Sequence, residues 1–270
     1  MYQTVYFYII QQLLLFTARV EPLSGQEIVA ANDLEFPFMA SIQDNNGYHL
    51  CSGVLIAHLL VITVKHCLEN KILGNIRIAF GMTDLQQTFQ MCKISGYYTY
   101  DDWAARLHLS EGSDTENIAM VKLVRQPLTA VPVHLSKFNK QQVQGKTAMI
   151  LGWTRLQNAE PLTKGIVNIL KDEDCSKMMS RITNKNFYIS SKTICTFAEP
   201  YVLLEIGDIG GPLLDQDGGL LGINFYSGPG SSFSWGNFTD DFIQKYQVNH
   251  HCDLTHSNMR RFVRDISINY

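Results

Sequence analysis

Three short stretches carry the side chains that could do chemistry. "TVKHC" at 63–67 sets His66, a base that titrates near neutral pH, beside Cys67. "ENIAMVKL" at 116–123 opens on acidic Glu116 and neutral Asn117. "GDIGGP" at 207–212 frames Asp208 and Ile209 with glycines. A histidine base does covalent chemistry by taking a proton from a hydroxyl or thiol, and the Ile209 side chain has neither, so no positioned base can activate it. A fourth stretch, "NHHCDLTH" at 249–256, groups His250, His251, Cys252 and His256. Such residues can hold zinc, but no second cysteine or C-x-x-C pair completes a set there, and a polar loop before the last helix is expected instead.

Elements that could position these residues are legible as short apolar runs between turn residues. "FPFMASI", "SGVLIAHLLVITV", "NIRIAFG", "IAMVKLV", "TAMILGW", "GIVNIL" and "GGLLGINFY" read as strands. Their number and length point to an all-β sandwich or barrel. Only "SNMRRFVRDISI" shows a helical period, with Ser257 as cap and Met259, Phe262, Val263 and Ile266 at spacings of three and four. It predicts a C-terminal amphipathic helix docked on the β core. "RQPLTAVPVHLSKFNKQQVQ", at 125–144, is the expected linker between two halves.

At 270 residues the chain can bury one large core or two smaller ones. Charged residues make up 17% and the net charge is -3, which gives no reason to expect nucleic acid as a partner. Residues 1–18 are apolar but interrupted by Gln11 and Gln12 and end in small residues, so they read as a secretory signal and not as a membrane anchor. Six cysteines agree with an oxidising compartment. In a secreted chain "NFT" offers Asn237 either as a glycosylation acceptor or as an unmodified Asn in a turn or strand.

Taken in order, "IVAA" at 28, "GYHLCSGVL" at 47, "TVKHC", "ENIAMVKL", "LGW" at 151 and "GDIGGP" resemble the trypsin-like (chymotrypsin-fold) serine proteases over nearly all of 28–270. The resemblance implies two antiparallel six-stranded β-barrels, over 28–135 and 136–270, with a terminal helix and an active site in the cleft between them. A signal at 1–18 and a short propeptide-like segment at 19–27 precede them. It also implies a degenerate triad: His66 as base, Asn117 where an aspartate orients it, and Ile209 in place of the nucleophilic serine. In proteases of this kind the Asp to Asn change alone costs about 10⁴ in turnover. An oxyanion hole would use the backbone N–H groups of Gly207 and Ile209, and Leu203, Phe225, Tyr226 and Ser227 would line the specificity pocket.

Activation departs as well. Glu27 precedes Ile28 where relatives carry a basic residue, so the cut that frees an Ile amino group to pair with Asp208 is not expected. Ser41 and His49 match the residues that hold this aspartate in uncut precursors, and a precursor-type lock of Ser41, His49 and Asp208 is expected. The resemblance pairs Cys51 with Cys67 and Cys175 with Cys195. It leaves Cys92 and Cys252 to bridge each other, to stay reduced, or to pair between chains. The expected function is a secreted, non-cleaving homologue that binds a protein (a protease, an inhibitor or a receptor), without cofactor, metal, nucleic acid or membrane. The competing expectation is an active endopeptidase with a displaced nucleophile.

Overall fold

Apolar runs that alternate or run unbroken become strands because both kinds can bury one or two faces in a closed barrel. In the computed structural model the residues described are 29–32, 35–69, 71–85, 90–109, 117–153, 161–198, 204, 206–225 and 248–269. Strands β1 (Val29–Ala30), β2 (Met39–Asp44), β3 (His49–Ala57), β4 (Leu60–Thr63), β5 (Ile76–Phe80), β6 (Gln90–Thr99) and β7 (Ala119–Leu123) come first. Six of them close a barrel in the order β2-β3-β4-β7-β6-β5. All four residues of β4 are buried, as an unbroken "LVIT" run requires.

The second barrel uses β8 (Thr147–Trp153), β9 (Leu162–Ile169), β10 (Thr193–Phe197), β11 (Pro212–Leu214), β12 (Leu220–Phe225) and β13 (Val248–Asp253). Its order is β9-β10-β13-β12-β11-β8, and pairing of β8 with β9 closes it, with β1 added beside β9. In β9 the inward Gly165, Val167 and Ile169 alternate with exposed Ile166 and Asn168. The architecture is the expected all-β pair of barrels.

Two stretches differ from their sequence reading. "NHHCDLTH" is not a polar loop, since Val248–Asp253 form β13 between β10 and β12. His250, His251, Cys252 and Asp253 are all buried, because a central strand keeps whatever polar side chains its neighbours can hydrogen-bond. Helices also occur before the C-terminus: α1 (Tyr100–Arg106), α2 (Lys140–Val143) and α3 (Asp172–Thr183). Helix α3 starts with Asp172, Glu173 and Asp174 against its positive end and leaves through the left-handed Asn184. Among its described side chains Cys175 and Met179 are the buried ones, too narrow a stripe to stand out as a period.

The last helix, α4 (Ser257–Asn269), begins at Ser257 itself, one residue earlier than a cap there implies. Met259, Phe262, Val263 and Ile266 are buried as the spacing predicted. This helix reaches the first barrel's α1. The Phe262 ring lies 5.5 Å from both Tyr100 and Trp103, and Trp103 Nε1 donates to Asp265 Oδ2 at 3.2 Å. The linker ties the barrels too, with Val133 N–H donating to Leu55 and Ser136 N–H to Leu220, both at 2.9 Å. Because Phe262 is fully buried at this junction, Phe262→Ala is expected to cost about 3–5 kcal/mol, read as a lower midpoint in urea denaturation.

Candidate functional site

On the first barrel, β4 ends at Thr63 and the chain turns through a 3₁₀ segment, Lys65–Cys67, that presents His66. The Cys51–Cys67 disulfide ties this turn to β3. Thr63 pairs with Ala119 on β7, and Lys65 N–H reaches the Asn117 carbonyl at 3.2 Å, so the ladder itself brings Asn117 beside His66. Asn117 Oδ1 accepts from the His66 backbone N–H at 3.0 Å, and its Nδ2 lies 2.5 Å from His66 Nδ1.

Burial of the imidazole is the leading cause that lowers the His66 pKa, although the residue keeps an exposed edge. An amide oxygen against the ring would raise it. Here the oxygen is taken by the backbone, and the facing NH2 favours the neutral ring. Lys65 has a defined place: Nζ lies 2.7 Å from Asp101 Oδ2 at the start of α1 and 3.4 Å from Glu69 Oε1. The bond to Asp101 is the main reason its pKa is raised.

On the second barrel, the 3₁₀ turn Ile206–Asp208 precedes β11. Its Gly207 carbonyl accepts from His49 Nε2 at 2.8 Å and Ser52 Oγ at 2.9 Å, both on β3 of the other barrel. A carbonyl only accepts, so Nε2 carries the His49 proton and Nδ1 accepts from Ser41 Oγ at 2.7 Å. Gln43 Nε2 in turn donates to Ser41 Oγ at 3.1 Å. Ser41 and His49 thus meet the segment of Asp208, with the imidazole bonded to the carbonyl one residue before it. Asp208 is 1% exposed, and its carboxylate packs on Gly152, where a Cβ would overlap it. Ile209 is 7% exposed and belongs to the main hydrophobic core, so this position offers buried hydrocarbon.

A buried polar chain behind this turn had no signal in the sequence. Asn224 on β12 bonds through its backbone to Gly210 and Gly211 at 2.8 and 2.7 Å, and its Nδ2 donates to the Asp208 carbonyl at 3.4 Å. His251 Nδ1 bonds to Asn224 Oδ1 at 2.8 Å, and its Nε2 to Thr196 Oγ1 at 2.7 Å. Both ring nitrogens of His251 are thus engaged in this chain. Among the described residues, Cys175, Cys195 and His250 are the metal-type donors within reach of one another, and the two sulfurs form the Cys175–Cys195 disulfide. Cys92 on β6 and Cys252 on β13 lie in different barrels, fully buried and outside any disulfide.

Of the pocket residues, Phe225 is buried at the end of β12 opposite His250. Leu203, Tyr226 and Ser227 lie outside the described residues, as do Ile28, Glu116, Asn237 and the signal and propeptide-like segments.

A family model described as Trypsin matches residues 26–240. The chain belongs to the trypsin family. It is 25% identical to human granzyme M over 210 residues, covering 74% of this chain and 75% of that protein. It is 26% identical to protein masquerade of Drosophila melanogaster over 216 residues, 75% of this chain but only 20% of that much longer protein. The solved structure of the scabies mite inactivated protease paralogue S-I1 superposes with a TM-score of 0.67 at 17% identity, covering 90% of this chain and all of that one, which is a likeness of fold. Within the matched span the chain carries His66, Asn117 and the glycine-framed turn around Ile209.

Complete burial, helped by the neighbouring His250, pulls the His251 pKa from 6.5 down to about 3. The unfolded chain therefore binds a proton that the folded chain refuses between those values. The resulting stability is fully present above pH 6.5 and is lost as pH falls toward 3, with a slope of up to about 1.4 kcal/mol per pH unit. Urea midpoints measured from pH 7 to pH 4 should fall more steeply for the wild type than for His251→Gln; parallel curves would contradict this assignment.

Proposed function

We propose that this trypsin-family chain does not cleave peptides and acts in an extracellular fluid by binding another protein, as a decoy, scaffold or regulator of a proteolytic pathway. One observation carries the proposal: at the position of the nucleophile the side chain is Ile209, hydrocarbon only and buried in the core. Nucleophilic catalysis needs an accessible oxygen or sulfur within reach of a base, and this position supplies neither.

Three further features support the reading. Asn117 donates toward His66, and a carboxylate at that place would accept from it. The turn before Ile209 is held by Ser41, His49 and Ser52, the kind of contact expected of an uncut chain, which is in keeping with Glu27 before Ile28. Two disulfides suit an oxidising compartment and hence secretion. The scabies mite protein described as inactivated has the same fold, so loss of cleavage and retention of the barrels are compatible. With the site altered, the rigid barrels and their connecting loops remain as binding elements.

A fluorophosphonate probe, which labels only activated hydroxyls, is expected to leave the full chain unmodified; a covalent adduct on any residue overturns the proposal. Ile209→Ser is expected to stay at least about 10⁴-fold below a working triad in ester and peptide hydrolysis, because Asn117 still holds the ring in the unproductive form. Strong hydrolysis by that single variant would show that Asn117 is no obstacle.

A further inference from the structure

We infer that His66 has been converted from a base into a hydrogen-bond donor, and that its Nε2–H takes a backbone carbonyl from an extended segment of the partner protein. The inference rests on the non-cleaving reading above and names the chemistry that reading leaves open.

The two ends of the Asn117 amide are told apart by their partners. Its Oδ1 is fixed by the His66 backbone N–H at 3.0 Å. Reversing the amide would set NH2 against N–H, two donors with no acceptor. The end that faces His66 Nδ1, at 2.5 Å, is therefore the donor Nδ2. A neutral imidazole carries one proton, and a ring that accepts at Nδ1 must carry it at Nε2. His66 thus supplies both the bond that orients Asn117 and the ring that Asn117 orients.

Nε2 lies across the ring from Nδ1, and His66 is exposed. Among the described residues Nε2 meets no hydrogen-bond partner, so the outward N–H is available to a visitor. The charges nearby select the visitor. Lys65, the adjacent cation, is already shared by Asp101 at 2.7 Å and Glu69 at 3.4 Å, two carboxylates against one ammonium. A third carboxylate arriving at His66 would meet a locally negative surface, whereas a neutral carbonyl would not. Backbone carbonyls inside helices and sheets are already bonded, so an acceptor with capacity to spare comes from an extended or loop segment. A protonated His66 would bind anions, but the lowered pKa keeps the ring neutral at physiological pH.

The test uses the full chain labelled with 15N and long-range 1H–15N correlation spectra, which report which ring nitrogen bears the proton. Wild type should show His66 protonated at Nε2, and Asn117→Asp, which replaces the donor by an acceptor, should move the proton to Nδ1. Wild type is then titrated with N-acetyl-trialanine-N-methylamide and, separately, with sodium acetate at matched ionic strength. The capped peptide should shift the His66 Nε2 resonance in a saturable way, acetate should not, and Asn117→Asp should lose the peptide response. An Nδ1–H wild type, a response to acetate alone, or no response to the peptide overturns the inference. The tautomer is read on the isolated protein, so an Nδ1–H result in a chain that also resists fluorophosphonate sinks this inference and leaves the non-cleaving reading standing. Fluorophosphonate labelling sinks that reading directly.

Discussion

Two donors of one barrel, the His49 imidazole and the Ser52 hydroxyl, converge on a single carbonyl of the other, that of Gly207. Ser52 also gives its backbone N–H to the Ile209 carbonyl at 2.8 Å, so β3 grips the glycine-framed turn at two carbonyls, one on either side of that of Asp208. Behind the turn, Asn224 holds Gly210, Gly211 and the Asp208 carbonyl, and His251 and Thr196 hold Asn224. A segment bonded from both sides has little freedom. Each of these buried polar groups would cost about 1–3 kcal/mol if left without its partner, so they preserve one another.

That mutual dependence, together with close packing, holds the Gly-Asp-x-Gly-Gly frame in place. Gly210 has φ +86, and any Cβ there would overlap the Ser52 carbonyl and the Thr63 hydroxyl. Gly152 leaves room for the Asp208 carboxylate. These glycines are demanded by packing between the barrels, independent of what stands at position 209. Ile209, for its part, joins the core, and burying such a side chain contributes about 1.5–3 kcal/mol.

The His66 edge follows the same logic with electrostatics in place of packing. Lys65 beside the histidine is balanced by α1, whose Thr99 cap accepts from the Asp102 N–H at 3.1 Å and whose first turn carries Asp101. The same helix presents Trp103 to α4. A charge next to the ring, a helix that neutralises it and a junction between barrels are therefore one connected arrangement. Elsewhere Asp215 accepts from Ser136 Oγ and from the Asp217 and Gly219 N–H groups, so hydrogen bonds hold that turn.

Read alone, the amino-acid sequence determined the order of the family's patterns, the strand-forming runs, the apolar stripe of α4 and the residue types at 66, 117 and 209. Those are local properties: periodicity, turn chemistry and the presence or absence of a heteroatom are written within a few neighbouring residues. Only the tertiary structure decided that "VNHHCD" is a strand with His250–Asp253 buried and that "DEDCSKMMSRIT" is a helix. It alone decided where the Lys65 charge goes, which end of the Asn117 amide faces the His66 ring, and which carbonyl His49 reaches. In each case the deciding partner lies far along the chain: Asn117 for His66, Asp101 for Lys65, Gly207 for His49, Asn224 and Thr196 for His251. A donor's role depends on the acceptor brought to it, and only closure of the two barrels brings these together.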